Sequence, residues 1–361
     1  MTKRVISLDV FRGITVAAMI FVNTLPHTLY TPTFLEHSPW VGLTFVDLVF
    51  PFFVFIVGVS MAYSFKSRSN QSRTQLWGHF LYRVVALFTI GLFLNWIGGG
   101  LPLRIPGVLQ LIALSSLFAA PLAFSKPKWI ILAAAIIMTF QSLILMFVSA
   151  PGVTAGSFQE YGNIAGWIDV NVFGSQHLYG PNFDPEGILS ILTGVSMVLL
   201  GLFVGKTLQI RGGNWNTMKI LLAGGLGTII IGLIISIWVP VIKQLWTASF
   251  VLITAGLATI ILALLYSYLD ILNRKSILKI AIPLGLNALI LYVLSAVVNT
   301  LLEKIYVKTS NGSIELFTLL YQGAMSFLGP NGGTVFYTMI IVVFWGIIAV
   351  IMRRRNIYIK L

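Results

Sequence analysis

Between His37 and Pro51 the chain reads HSPWVGLTFVDLVFP, which sets an imidazole, an indole and a carboxylate within one short stretch. Asp47 lies between Val46 and Leu48 in an apolar run. An ionised carboxylate there costs roughly 2.5–3.5 kcal/mol on insertion scales, so it requires either a function or a partner on a neighbouring helix. A neutral imidazole such as that of His37 can take a proton from an attacking amine or hydroxyl, or carry an acyl group itself. Spacing alone leaves catalysis and a structural histidine equally open. Asn23 follows the apolar pair Phe21 and Val22. Its amide either joins helices or offers its NH2 to a developing oxyanion.

Other side chains are candidates for binding. Arg12 stands three residues after Asp9, which suits a local ion pair or a basic point at the mouth of a channel. Trp40 precedes Asp47 by seven residues and shares its face if the helix has already begun; otherwise it is an interface anchor. Pro51 cannot donate to the carbonyl of Asp47, so the helix is adaptable beside the carboxylate. Arg104 opens a later span and can pair with a carboxylate or hold an anionic group. Asp184 and Glu186 precede another span, where helix capping competes with binding of a polar or cationic substrate. Trp246 opens a further span. Asn287 and Tyr292, inside the next, either line a polar channel or bind helices together. His27 is a lesser candidate, near the headgroups. His79 and His177 stand alone, and no set of histidines and carboxylates has the spacing of a metal site.

The elements that must position these groups are membrane helices. Of 361 residues 57% are hydrophobic and only 9% charged, with a mean hydropathy of +0.94, a balance foreign to a water-soluble domain. A span needs about 20 apolar residues. That ruler predicts an all-α polytopic protein of about ten spans, near 12–30, 43–65, 80–98, 107–124, 129–149, 187–205, 219–239, 247–268, 281–301 and 333–352. Residues 1–361 read as a single transmembrane domain, with the first apolar run retained as a span. Longer connections are expected at 150–186 and 303–332. There is no cysteine, which excludes disulfides, thiolate metal sites and a cysteine nucleophile.

The formal charge of +13 sorts by side. Lys3, Arg4, Lys66, Arg68, Arg73, Lys126, Lys128, Lys206, Arg211 and the terminal arginines fall on one face, which the positive-inside rule makes cytoplasmic together with both termini. Most acidic residues fall on the other. The charge is thereby explained without nucleic acid.

Taken together, SLDVFRG from Ser7, Asn23, the series His37, Trp40, Gly42, Thr44, Asp47 and Phe50-Pro51, then RIPGVLQ from Arg104, FDPEG from Phe183, KQLWTASFVL from Lys243 and GLNALILY from Gly285 resemble the heparan-alpha-glucosaminide N-acetyltransferase family and its bacterial relatives. The resemblance runs over most of the chain. It implies an acyl-CoA-dependent enzyme that passes an acetyl group from cytoplasmic acetyl-CoA to an amino sugar or related glycan across the bilayer. His37 then matches the active-site histidine, Asn23 its nearby asparagine, and Asp47 an acidic position that orients the imidazole. Arg12, Arg83, Arg104 and Asn287 are the candidates for holding the CoA donor. Trp40, Asp184, Glu186 and Trp246 are the candidates for the acceptor. Where the family often has an arginine after PGVLQ, this chain has Leu111, and Arg83 or Arg104 would supply the basic contact. No metal is implied. The implied partners are a glycan or small-molecule acceptor and the lipid bilayer, with room for a non-covalent homodimer, in a cell membrane that is the cytoplasmic one if the source is bacterial. The rival readings are a proton-coupled transporter of a sugar or amphiphile, with Asp47 and His37 as relay, and a silent scaffold.

Overall fold

A computed structural model describes residues 5–26, 31–68, 71–274, 277–309 and 312–359. His27, Lys3 and Arg4 lie outside the described residues. In chain order the helices are α1 (Ile6–Thr24), α2 (Phe45–Ser67), α3 (Arg73–Gly99), α4 (Val108–Ala119), α5 (Pro127–Phe147), α6 (Ile164–Phe173), α7 (Ile188–Arg211), α8 (Trp215–Ile235), α9 (Ala248–Tyr266), α10 (Ile282–Leu286), α11 (Ala288–Lys304) and α12 (Leu316–Arg354). A short antiparallel hairpin, β1 (Tyr306–Thr309) and β2 (Gly312–Glu315), pairs Tyr306 with Glu315. The protein is an all-α polytopic membrane protein. Among the described residues eight helices are long and apolar enough to cross a bilayer. Taking Ile277–Leu286 with Ala288–Lys304, bent by 80°, as one span gives nine; the span expected near 107–124 is the shorter apolar helix Val108–Phe124.

The chain divides into two compact units. Unit one holds residues Met1–Leu8, Ser38–Leu43 and Pro51–Arg274; unit two holds Asp9–His37, Thr44–Phe50 and Lys275–Leu361. One boundary falls at Pro51, the residue that cannot complete the helical bond to Asp47.

Within unit one α7 packs against α4, α5 and α9, and α8 packs against α9. The helices approach closely because small residues line their seams, the usual device where lipid removes any hydrophobic drive between helices. A Cβ at Gly58 would stand 2.0 Å from the carbonyl oxygen of Val198, and one at Gly201 2.1 Å from that of Phe55. In unit two α1 passes the 281–285 segment in the same way. A Cβ at Gly285 would lie 2.1 Å from the carbonyl oxygen of Asp9.

Several boundaries differ from the sequence expectation: α3 starts at Arg73 rather than near 80, and α6 lies within the connection expected at 150–186. The first helix starts at Ile6 rather than near 12, because the Asp270 carboxylate accepts the N–H groups of Ile6 and Ser7, each at 2.9 Å, and so satisfies two of the orphan donors of a helix start. The expected loop at 303–332 instead contains the hairpin and the first part of α12. That helix breaks at Gly329, where φ is 72° and Pro330 follows without an N–H.

Candidate active site

Thr44 immediately precedes α2 and Asp47 lies in its first turn. The Asp47 carboxylate reaches back to accept from the Thr44 backbone N–H and from its Oγ1, both at 3.0 Å. This is one arm of a capping box, favoured further by the positive end of the helix dipole. The arrangement spends Oδ2 on the helix start and leaves Oδ1 to His37, whose Nδ1 stands 2.7 Å away. A carboxylate oxygen only accepts, so Nδ1 donates, and in the neutral ring Nε2 then carries the lone pair. Asp47 is 1% exposed, whereas the His37 side chain is 40% exposed. A buried carboxylate thus orients a partly exposed imidazole. That is the base-and-orienter geometry of acyl-transfer sites.

The remaining candidates of unit two take different places. Asn23 is exposed next to the end of α1, and its backbone carbonyl accepts from Asn299 Nδ2 at 3.3 Å. Asn299 Nδ2 also donates to Thr24 Oγ1 at 2.7 Å. Arg12 lies two turns inside α1 rather than at its end. It meets Asp9 at 3.5 Å and donates to the Gly285 carbonyl at 3.4 Å. Asn287 sits at the bend between α10 and α11. It donates to the carbonyl of Ile357 at 3.1 Å and accepts from the N–H of Ile359 at 3.0 Å, which ties down the C-terminal tail.

In unit one a second polar cluster forms around Arg104. Its Nε and Nη2 bond both oxygens of Asp184, at 2.9 and 2.7 Å, and Nη2 also bonds Glu186. The loop carrying it is held by Asn95, which donates to the carbonyls of Arg104 and Pro106 at 2.8 Å each, and by His177, whose Nδ1 donates to Leu103 O at 2.7 Å. Asp184 also accepts the N–H groups of Tyr179 and Glu186, and the Tyr179 ring lies 5.0 Å from the guanidinium. Burial by itself would lower the Arg104 pKa. The bond from Asp184 and the charge of Glu186 outweigh it and hold the guanidinium above its ordinary value. For Glu186 burial dominates, opposed by Arg104 and reinforced by Asp184, and its carboxyl is pushed up to about 7.

Neither Asp184 nor Glu186 caps α7. That work falls to Asp169 of α6, which accepts the Ile188 N–H at 2.9 Å and for which Gly187 leaves room, since a Cβ there would stand 1.9 Å from Asp169 Oδ2. Burial pushes the Asp169 carboxyl up to about 7, against the opposing bond from Ile188.

Trp40 is not on α2, which begins five residues later; its Nε1 donates to Phe158 O at 2.7 Å and its ring meets Phe183 edge-on at 5.2 Å. The surrounding segment 38–43 is pinned by Gly42 N–H to Val241 O at 2.8 Å. Trp246 is fully buried in the left-handed region, at φ 46°, a strained place for a bulky residue and one that accumulates at functional sites. Arg83 lines a narrow cavity of about 20 Å³ with Arg68, His79 and the buried Ser116, which brings two guanidinium groups to one small space. Leu111, where an arginine was expected from the resemblance, is fully buried.

The structure therefore brings His37 to Asp47, and Arg104 to Asp184 and Glu186. Sequence reasoning passed over Thr44 as a cap although T-x-x-D at a helix start is a readable signal. It also passed over Asp169 and Asp270, whose bonds to α7 and α1 have no local signature.

Residues 4–223 match the family described as heparan-alpha-glucosaminide N-acetyltransferase, catalytic. Among curated proteins the chain is similar to the heparan-alpha-glucosaminide N-acetyltransferases of Mus musculus, at 31% identity, and of Homo sapiens, at 32%. Each match takes in 57% of this chain and 39% or 38% of the relative, so the chain spans about two fifths of the length of the curated relatives it matches. The family match covers more than half of the sequence and includes His37, Asp47, Arg104, Asp184 and Glu186; the chain belongs to the heparan-alpha-glucosaminide N-acetyltransferase catalytic family.

Proposed function

We propose that this protein is a transmembrane N-acetyltransferase that takes an acetyl group from acetyl-CoA on the cytoplasmic side and delivers it to an amino sugar or related glycan on the other. The observation that carries the reading is the 2.7 Å bond between His37 Nδ1 and the buried Asp47. In the reaction the acceptor amine attacks the thioester carbonyl and the C–S bond breaks. His37 Nε2 takes the amine proton and returns it to the departing thiolate. Asp47 holds the tautomer and stabilises the imidazolium as it forms. Asn23 supplies its amide to the developing oxyanion. Arg68, His79 and Arg83, which line one cavity, serve the phosphates of the donor. Arg12 and Asn287 are further donor contacts in this reading. Trp40, Trp246, Asp184 and Glu186 belong to the acceptor side in this reading.

The test is incubation of purified protein with labelled acetyl-CoA, with and without glucosamine, following CoA release and acetylated sugar. Acetyl transfer that depends on sugar and disappears in His37→Ala supports the reading. Equal background in wild type and variant overturns it.

A further inference from the structure

Unit one contains a groove that the acetyl-transfer reading does not use. It is a cavity of about 500 Å³ framed by α5, α7, α8 and α9, inside the roughly 300–1,000 Å³ range of pockets that bury a small molecule. Its walls are Ile131, Leu200, Phe203, Val204 and Leu221. Three threonines also face it, Thr207, Thr228 and Thr259. Each hydroxyl donates to a carbonyl one turn back on its own helix, at 2.9, 2.7 and 2.8 Å. The threonines therefore ask nothing of an occupant, and the interior is suited to hydrocarbon.

One charged residue lines the groove, Arg211, in the last turn of α7. It is exposed, and the ion pairs among the described residues belong to other cations. Leu200, at the deep end, precedes it by eleven residues on the same helix. At about 1.5 Å per residue that is roughly 16 Å, close to half of the roughly 30 Å hydrocarbon thickness of a bilayer. The Arg211 end also carries the marks of the headgroup level. Trp129 and Trp215 are both half-exposed, near the starts of α5 and α8, and Lys128 Nζ lies 5.2 Å from the Trp129 ring centre. Length, apolar walls and a cation at one end are the features of a site for a single leaflet's lipid.

We propose that this groove binds one acyl chain of an anionic phospholipid, with the lipid phosphate paired to Arg211. The groove offers a direct way to fill it from the protein side: a Cβ at Gly224 meets nothing within 4 Å, so Gly224→Leu projects into the space without a backbone clash. Arg211→Gln removes the cation and leaves the groove open.

The full-length protein in mild detergent is offered phosphatidylglycerol or phosphatidylcholine of the same chain length, and retained lipid and oligomeric mass are read by native mass spectrometry. Wild type is expected to retain phosphatidylglycerol roughly fivefold better, the scale of one lysine or arginine at a lipid surface. Arg211→Gln is expected to equalise the two lipids, and Gly224→Leu to lower retention of both. Equal retention of the two lipids by wild type overturns the proposal. So does undiminished retention in Gly224→Leu, including a Gly224→Leu variant that loses a protomer instead of lipid, which would make the groove a contact between copies of this chain.

Discussion

The two buried carboxylate sites use the same chemistry to opposite ends. At Asp184 both oxygens are spent on Arg104, and the N–H groups of Tyr179 and Glu186 are added. The charge is saturated from every side, which is what makes a buried ion tolerable. At Asp47 the carboxylate is as deeply buried, but its partner His37 is 40% exposed on the side chain and carries a second ring nitrogen able to exchange a proton. A saturated ion pair holds architecture, while a carboxylate paired with a half-exposed imidazole keeps a group that can take up and return a proton. Glu186 belongs to the Arg104 cluster, bonded to Arg104 through one oxygen and with its carboxyl raised to about 7.

Substitutions can break or sharpen this contrast. The largest effect is expected for His37→Ala, which should lower acetyl transfer roughly 10²–10⁴-fold with the helical circular dichroism and thermal midpoint unchanged; a matched loss of fold would put this site in the architectural class. Next, Arg104→Ala removes the guanidinium from two buried carboxylates and should destabilise unit one by roughly 3–5 kcal/mol, read as a lowered thermal midpoint. Arg104→Lys, unable to make the two-pronged bond, should recover only part of it. Asp47→Asn should reduce transfer by about 10–100-fold, as loss of an orienting partner does elsewhere, because an amide cannot accept at both oxygens from Thr44 and His37. The effect should appear in kcat more than in KM.

The smallest effect concerns pH. Asp169 has its folded pKa raised from 3.8 to about 7. A raised acid binds its proton more tightly when folded, so its contribution to stability is present below about pH 4 and is lost as pH rises towards 7. Asp169→Asn keeps an acceptor for the Ile188 N–H, so melting followed from pH 4 to 8 should show a flatter slope in the variant and a relative gain above pH 7.

How far the sequence could be read depended on distance along the chain. The His37–Asp47 pair spans ten residues, and T-x-x-D at a helix start announces its own geometry. Arg104 and Asp184 were each recognisable as candidates, but their bond closes over 80 residues. The Asp270 cap on α1 closes over 264, and no local pattern records such a pairing. The bent segment at Asn287 read as an interior helix position because its neighbours are uniformly apolar, and the break depends on bonds to Ile357 and Ile359.

Composition and apolar run lengths alone determined that the protein is a helical bundle in a membrane, since lipid forces every backbone group to be satisfied within its own helix. Residue identity and short spacing narrowed the side chains able to carry proton chemistry, and the family resemblance is what pointed them to acyl transfer. Only tertiary structure decided that Asp169 rather than Asp184 or Glu186 caps α7, that Trp40 stands off the helix of Asp47, and that Arg104 is locked between two carboxylates. The physical reason is that a cap, a buried ion pair or a ring contact depends on which groups meet after long stretches of chain have closed, and loop closure leaves no mark in the residues that it joins.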